Sequence, residues 1–344
     1  MIRLHFYGSC RGITGSQYIL ETPKSRVMLD CGMYQGNDDV QRRMNRTFHV
    51  PPSELDAVIL SHAHVDHSGM VPYLVKQGFR GRVWSHHGTK DLCDILLSDA
   101  GHLQEEEAAY ENRQRVKRKQ SPMVPLYTAA DAQRALDYFY PIGYGKWHEV
   151  TSDVRVCFQN AGHILGSSLV MVEVKLGKVW RRIVFTGDLG HNDQALLHGP
   201  DIIRETDWLI MESTYGARNQ PERSGRLERL AELVNQVVER NGVILIPAFA
   251  VGRTQDVLWV LRGLIEAGKI PALPITLDSP MAIAASKLFR QYPDQLRPEV
   301  QSAFTGKGSP LEFPGVHFAR SVADSMALND MDGPRIIISA SGMC

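Results

Sequence analysis

Directly after the apolar run Val58-Ile59-Leu60 comes Ser61-His62-Ala63-His64-Val65-Asp66-His67-Ser68-Gly69, which puts three histidines and an aspartate within six residues. In an extended segment residues two apart share a face, so His62 and His64 can converge on one ion. If the chain then turns into a helix capped by Ser68, Asp66 and His67 swing toward a neighbouring position, and one short segment serves two metals. Imidazole and carboxylate are ligands that zinc accepts, and paired ions about 3.5–4 Å apart are a recurrent hydrolytic arrangement. Four such polar side chains behind a strand cost too much solvation to be filler.

Further ligands are sought where other strands end: His163 in Ala161-Gly162-His163-Ile164-Leu165-Gly166, Asp188 in Phe185-Thr186-Gly187-Asp188-Leu189-Gly190, and Asp30 in Leu29-Asp30-Cys31-Gly32. Glycines beside each let the backbone approach closely. Taken singly, His163 or Asp188 reads as a hydrogen-bonded structural residue; the dense run at 62–67 makes them candidates. His5, His49, His86, His87, His102, His148, His191, His198 and His317 are read as structural or surface residues.

These residues must be positioned by a chain of 344 residues, 43% hydrophobic, which suffices for a large core and suggests about two domains. Its 38 basic and 38 acidic side chains cancel, so a polyanion must be held by a local site. Cys10, Cys31, Cys93, Cys157 and Cys344 are odd in number and contain no Cys-x-x-Cys pair. That disfavours a disulfide framework or structural zinc site and makes a reducing cytoplasm the default. No membrane span or export signal is evident.

Short apolar runs ending in Gly, Asp, Ser or His read as strands: Arg26 to Leu29, Ala57 to Leu60, Val154 to Phe158, Ser168 to Leu176 and Ile183 to Phe185. A charged helical stretch, Gln104 to Lys119, breaks at Ser121, Pro122 and Pro125. From Trp208 strands and helices alternate: Trp208 to Met211, Arg226 to Arg240, Val243 to Ile246, Thr254 to Glu266, Ile275 to Leu277, and Met281 to Tyr292. This alternation argues for parallel βαβ units and a boundary near Trp208. A last strand, Arg335 to Ile338, runs into Ser339-Ala340-Ser341-Gly342-Met343-Cys344. A domain ending there leaves its final crossover unmade, so the sequence reads as a fragment or truncated version of something longer.

His62-x-His64-x-Asp66-His67 resembles the signature of the metallo-β-lactamase superfamily, with Asp30, His163 and Asp188 matching its other motifs in order over residues 1 to about 208. The second half resembles the β-CASP subgroup of RNA-processing nucleases. Met211-Glu212-Ser213-Thr214-Tyr215-Gly216, Pro247 to Gln255 and Leu277-Asp278-Ser279-Pro280-Met281 are similar to its stretches, as is Gly8 to Ser16 at the start. The subgroup includes the nuclease subunit of the cleavage and polyadenylation factor and its bacterial and archaeal relatives. The implied fold is α/β: a metallo-β-lactamase αββα sandwich (1–208) with an inserted β-CASP α/β domain (209–344), its C-terminal part missing.

The resemblance implies that His62, His64 and His163 bind one Zn2+, that Asp66 and His67 bind a second, and that Asp188 bridges them. Asp30 would orient the site from behind the ligands. Glu212 would hydrogen-bond a catalytic histidine which, with one further zinc ligand, lies in the family beyond the Ser-Gly-Met turn. The second zinc site is therefore expected to be incomplete and the three-His site to fill first. The activity implied is hydrolysis of RNA phosphodiester bonds by a metal-bridging hydroxide, endonucleolytic or 5′ to 3′, in the cytoplasm, with a homodimer as the family default. A second domain over the metal mouth would make a cleft long enough for a strand. A small-molecule hydrolase acting on a lactone or thioester is one alternative, and a non-catalytic RNA-binding relative is another.

The run Arg113-Gln114-Arg115-Val116-Lys117-Arg118-Lys119 has five positive charges in seven residues. Arg115 and Lys117 are candidates for contact with phosphates. The alternative is a solvated helix face paired with Glu105, Glu106, Glu107 and Glu111. Arg253 and Ser213 are weaker candidates; Ser213 and Thr214 read better as a turn capping the next helix.

Overall fold

The computed structural model describes residues 1–36, 39–219, 224–306 and 308–340. The expected turn at Ser341-Gly342-Met343 and Cys344 lies outside these described residues. The chain divides into two compact units, one of Met1–His191 with Gly199–Thr214 and one of Asn192–His198 with Tyr215–Cys344.

The first unit contains two sheets. One is ordered β1 (Arg3–Phe6), β2 (Gln17–Glu21), β3 (Arg26–Cys31), β4 (Ala57–Ile59), β5 (Arg82–His86) and β6 (Phe139–Ile142). It is antiparallel from β1 to β3 and parallel from β3 to β6. The other contains β7 (His148–Glu149), β8 (Val154–Asn160), β9 (Ser168–Leu176), β10 (Val179–Phe185) and β11 (Trp208–Ile210). β11 lies parallel to β10, so the chain through Thr214 stays with this unit. The sheets share one core in which Leu20, Leu29, Ile59 and Trp84 meet Val156, Phe158, Val172 and Phe185. Alternate residues of the second sheet point inward, while Cys157, Met171 and Val184 face out against Trp147 and Ile203.

The helices of this unit are α1 (Asp39–Met44), α2 (Val65–Ser68), α3 (Val71–Lys76), α4 (His87–Lys117) and α5 (Ala129–Leu136), with α3 and α4 both packing on α5 and α4 also touching β5 and β6. The expectation of a helix from Gln104 captures only the later part of α4. Its first half, which includes Lys90, Asp91, Asp94 and Asp99, is also helical and buries Leu92, Cys93, Leu96 and Leu97. Gly101 does not break it: a Cβ there would meet the Ala129 backbone nitrogen at 2.6 Å, so the glycine admits the start of α5.

That start is held by a capping box. Thr128 Oγ1 accepts from the Asp131 N–H at 3.1 Å, and Asp131 Oδ2 accepts from the Thr128 N–H at 3.0 Å and from Lys76 at 2.9 Å. Arg134 also pairs with Asp131. Burial alone would raise the Asp131 carboxyl, but donation from Thr128 and Lys76 outweighs it and holds the group down at about 2. A depressed carboxyl contributes stability above its unfolded pKa, near 3.9, and loses that contribution as pH falls through the folded value. We expect Asp131→Ala to cost about 2 kcal/mol at neutral pH. In urea melts from pH 6 to pH 2 its difference from the parent should shrink below about pH 4; a constant difference would assign the loss to packing.

The second unit holds a parallel sheet ordered β12 (Val243–Ala248), β15 (Arg335–Ala340), β13 (Ile275–Asp278) and β14 (Val316–Ala319). Its helices are α6 (Arg226–Glu239), α7 (Arg253–Glu266), α8 (Pro280–Leu288), α9 (Pro298–Thr305) and α10 (Val322–Ala327). The alternation of strands and helices is as expected, with two corrections. α8 ends at Leu288 rather than near Tyr292, because the residue before Pro293 is disfavoured in helical conformation and Tyr292 sits at φ −127, ψ 57. Ser213 and Thr214 do not cap the next helix, since α6 begins at Arg226 behind Gly225 in a left-handed conformation.

Candidate metal centre

β4 ends at Ile59, and after a bend at Ser61 the chain presents His62 and His64 before the single turn of α2 swings Asp66 and His67 aside. Ser68 closes that turn rather than capping it: the N-cap residue is His64, and Ser68 Oγ donates back to the Ala63 and His64 carbonyls. The chain at Asp66 is held by a close backbone approach. Its carbonyl accepts from the Ser16 N–H at 2.8 Å, and a Cβ on Gly32 would lie 1.7 Å from the Asp66 oxygen, so only glycine fits there.

His163, from the turn after β8, and Asp188, from the turn after β10, join this segment. His64 Nδ1 lies 3.1 Å from His62 Nε2 and 3.2 Å from His163 Nε2. Asp188 Oδ2 is 3.5 Å from His163 Nε2 and 3.9 Å from His62 Nε2. All four donor atoms fall within 4.8 Å of one another. Ligands about 2.0–2.1 Å from a tetrahedral ion lie roughly 3.3–3.4 Å apart, so this donor set fits one metal ion. The other carboxylate oxygen, Asp188 Oδ1, is 3.3 Å from His67 Nε2, which is 3.7 Å from Asp66 Oδ2. Asp188 thus presents one oxygen to the three-His group and one to the Asp66–His67 pair.

Asp30 is fully buried at the end of β3, with φ +52 in the left-handed region that aspartate tolerates. Its Oδ1 accepts from the Ser61 N–H at 2.7 Å; its Oδ2 accepts from His67 Nδ1 at 2.7 Å, Ser61 Oγ at 2.9 Å and Ser16 Oγ at 3.1 Å. With its proton given to Asp30, Ser61 Oγ is left to accept from His62 Nδ1, 3.0 Å away. That network fixes both tautomers: His62 and His67 each spend Nδ1–H on the Asp30 side and turn Nε2 toward Asp188. Ser61 and Ser16 are the functional residues that the motif reading missed. A serine before a His-rich run is too common to carry a signal.

Burial, reinforced by the neighbouring imidazoles, pushes His62 well below its ordinary pKa and His64 to about 3, and lowers His163 as well. All three are neutral near pH 7, the state a metal requires. Burial also disfavours charge on His67, but Asp30 and Asp188 overcome this and raise it well above its ordinary value. Burial would raise Asp188, yet the His67 hydrogen bond and the surrounding histidines bring it down to about 2. Burial raises Asp66, opposed by His67. The side chains of Asp188 and His163 are 34% and 25% exposed, so the cluster is open to solvent on their side.

Glu212 follows β11 and accepts from the Leu189 N–H at 3.0 Å, bracing the turn that carries Asp188. Ser213 is exposed in the first unit, and Arg253 is exposed at the first turn of α7 in the second. Arg115 donates to the Ser121 carbonyl at 2.7 Å, and Lys117 is exposed at the end of α4. Cys10, Cys31, Cys93 and Cys157 form no disulfide.

The model of the metallo-beta-lactamase superfamily matches residues 11–223, and that of the Beta-Casp domain residues 254–344. The chain is 32% identical to a ribonuclease of Thermus thermophilus, over 99% of its own length and 73% of the relative's. It is 31% identical to an RNase J-like protein of Methanocaldococcus jannaschii, over 100% and 72%. A transcription termination factor, FttA, of Methanosarcina mazei is 33% identical over 89% of this chain and 46% of that protein. The chain thus spans about half to three quarters of these relatives' lengths. A protein of unknown function from Enterococcus faecalis shares the fold, with a TM-score of 0.52 at 16% identity, over 99% of this chain and 77% of that one.

Proposed function

Since the chain belongs to the metallo-β-lactamase superfamily and carries a Beta-Casp domain, we propose that it is a metal-dependent ribonuclease using two zinc ions. The observation that carries this reading is the convergence of His62, His64, His163 and Asp188 in one open cluster, within a chain whose relatives include two named as ribonucleases. His62, His64 and His163 with Asp188 would hold one zinc, and Asp66 and His67, sharing Asp188, the second. Bound there, zinc supplies an acidified water and neutralises charge on a phosphodiester in the transition state. The chain's own contribution is positional. Asp30, through Ser61 and His67, aims nitrogen lone pairs at both positions; Glu212 braces the Asp188 turn; and exposure on the Asp188 side leaves room for the scissile phosphate.

Among the described residues the three-His position offers four convergent donors and the other position two of its own plus a share of Asp188, which supports sequential filling. Titration of the metal-free protein with zinc, followed by calorimetry, should give a tight first equivalent and a weaker second. Cleavage of a labelled single-stranded RNA should be lost on chelation and return with zinc. Turnover of a lactone or thioester with every RNA left intact would overturn the ribonuclease reading in favour of a small-molecule hydrolase.

A further inference from the structure

The far end of α4 carries positive charges that the fold does not neutralise. Among the described residues, no carboxylate lies within ion-pairing distance of Arg113, Arg115, Lys117, Arg118 or Lys119. The preceding glutamates are engaged elsewhere. Glu105 accepts from the Ala129 N–H at 3.0 Å, Glu107 pairs with Arg42 at 3.3 Å, and Glu106 sits 3.4 Å from His102. Glu111 stays half-buried on the helix and pairs with none of the five.

Tyr110, Arg113 and Lys117 fall at helical spacing on one stripe. Tyr110 is 56% exposed with the Arg113 guanidinium 5.5 Å from its ring centre. The returning chain is tied alongside. Asn112 Nδ2 donates to the Met123 carbonyl at 2.9 Å and Oδ1 accepts from the Met123 N–H at 2.6 Å, while Arg46 reaches the Val124 carbonyl at 3.3 Å. The charges are thus displayed from a braced helix end.

At its other end α4 touches the metal centre, where Thr89 Oγ1 donates at 2.7 Å to the carbonyl of Gly166 in the His163 turn. From Thr89 to Lys117 the helix rises about 42 Å at 1.5 Å per residue. A strand whose bases stay stacked as in a duplex, at about 3.4 Å per nucleotide, covers that distance in roughly a dozen nucleotides, and a more extended strand in fewer.

We infer that the end of α4, with Arg113 beside Tyr110 and Lys117, Arg118 and Lys119 further along, is a remote docking tract for single-stranded RNA. The cations track the phosphates and the exposed ring stacks a base. An acidic protein would satisfy the charges but has no use for the ring beside them. The inference rests on the ribonuclease reading and adds that long substrates are gripped at a distance from the cut set by α4, up to about a dozen nucleotides.

The test compares the parent with Arg113→Gln/Lys117→Gln/Lys119→Gln and with Tyr110→Ala. All four side chains are exposed, and circular dichroism checks folding. Binding of fluorescein-labelled 30-nucleotide and 6-nucleotide RNA and of polyglutamate is followed by anisotropy in EDTA, so that no RNA is cut; cleavage of both RNAs is followed separately with zinc. The triple variant should bind the 30-mer about tenfold more weakly at 0.1 M salt, with a salt slope shallower by about 2. Tyr110→Ala should lose several-fold without change of slope, and cleavage of the 6-mer should be unchanged in both. Equal 30-mer binding by triple variant and parent, no RNA binding by the parent, or a matching loss for polyglutamate would each overturn the tract. Failure of the parent to cut either RNA with zinc would count against the ribonuclease reading alone.

Discussion

Asp188→Ala is expected to lower RNA cleavage by on the order of a thousandfold or more while leaving the protein folded. Residues that merely orient metal ligands typically cost 10–100-fold when removed, and a ligand shared by two positions must cost more. Asp188 places Oδ2 3.5 Å from His163 Nε2 and Oδ1 3.3 Å from His67 Nε2, so its loss strips a donor from both groups. Its side chain is 34% exposed, and truncation opens no cavity in the core. Zinc content by atomic emission and cleavage should therefore fall together, with circular dichroism in EDTA showing a folded protein. Activity within tenfold of the parent would remove Asp188 from the metal centre. Asp66→Ala should affect the second zinc equivalent more than the first, since it lies beside His67 and outside the three-His group.

Asp30→Ala should act on the fold itself. It removes a fully buried carboxylate and orphans the Ser61 N–H, the Ser61 and Ser16 hydroxyls and His67 Nδ1 at once. Breaking one side of a buried charged pair costs about 3–5 kcal/mol. For a unit of this size that corresponds to a melting temperature lower by roughly 10 °C. Asp30→Asn keeps an oxygen for Ser61 and tolerates the left-handed backbone at φ +52 but gives up the charge facing His67. It should recover part of the stability while zinc affinity stays reduced. A melting temperature for Asp30→Ala within about 2 °C of the parent would show that the network carries little energy.

The local segments were legible in the sequence where a periodicity or a dense motif wrote them down. The strands at β3, β4, β8 and β9, the alternation of strand and helix after Trp208, and the extended-then-helical course of His62 to His67 all follow from patterns within a few residues. β2 and β5 lacked such a signal because their apolar runs are short, Tyr18 to Leu20 between Gln17 and Glu21 in one and only Val83-Trp84 before Ser85 and His86 in the other. The first half of α4 was hidden because Gly101 resembles a break until the start of α5 is seen against it.

The metal-ligand types, and the family that uses them, could be read from the chain alone. How Asp188 divides its two oxygens, how Ser61 relays Asp30 to His62, and which cations on α4 go unpaired could not. Each depends on residues separated by tens of positions whose approach is fixed by the two sheets and their shared core, and side-chain type carries no record of such distances.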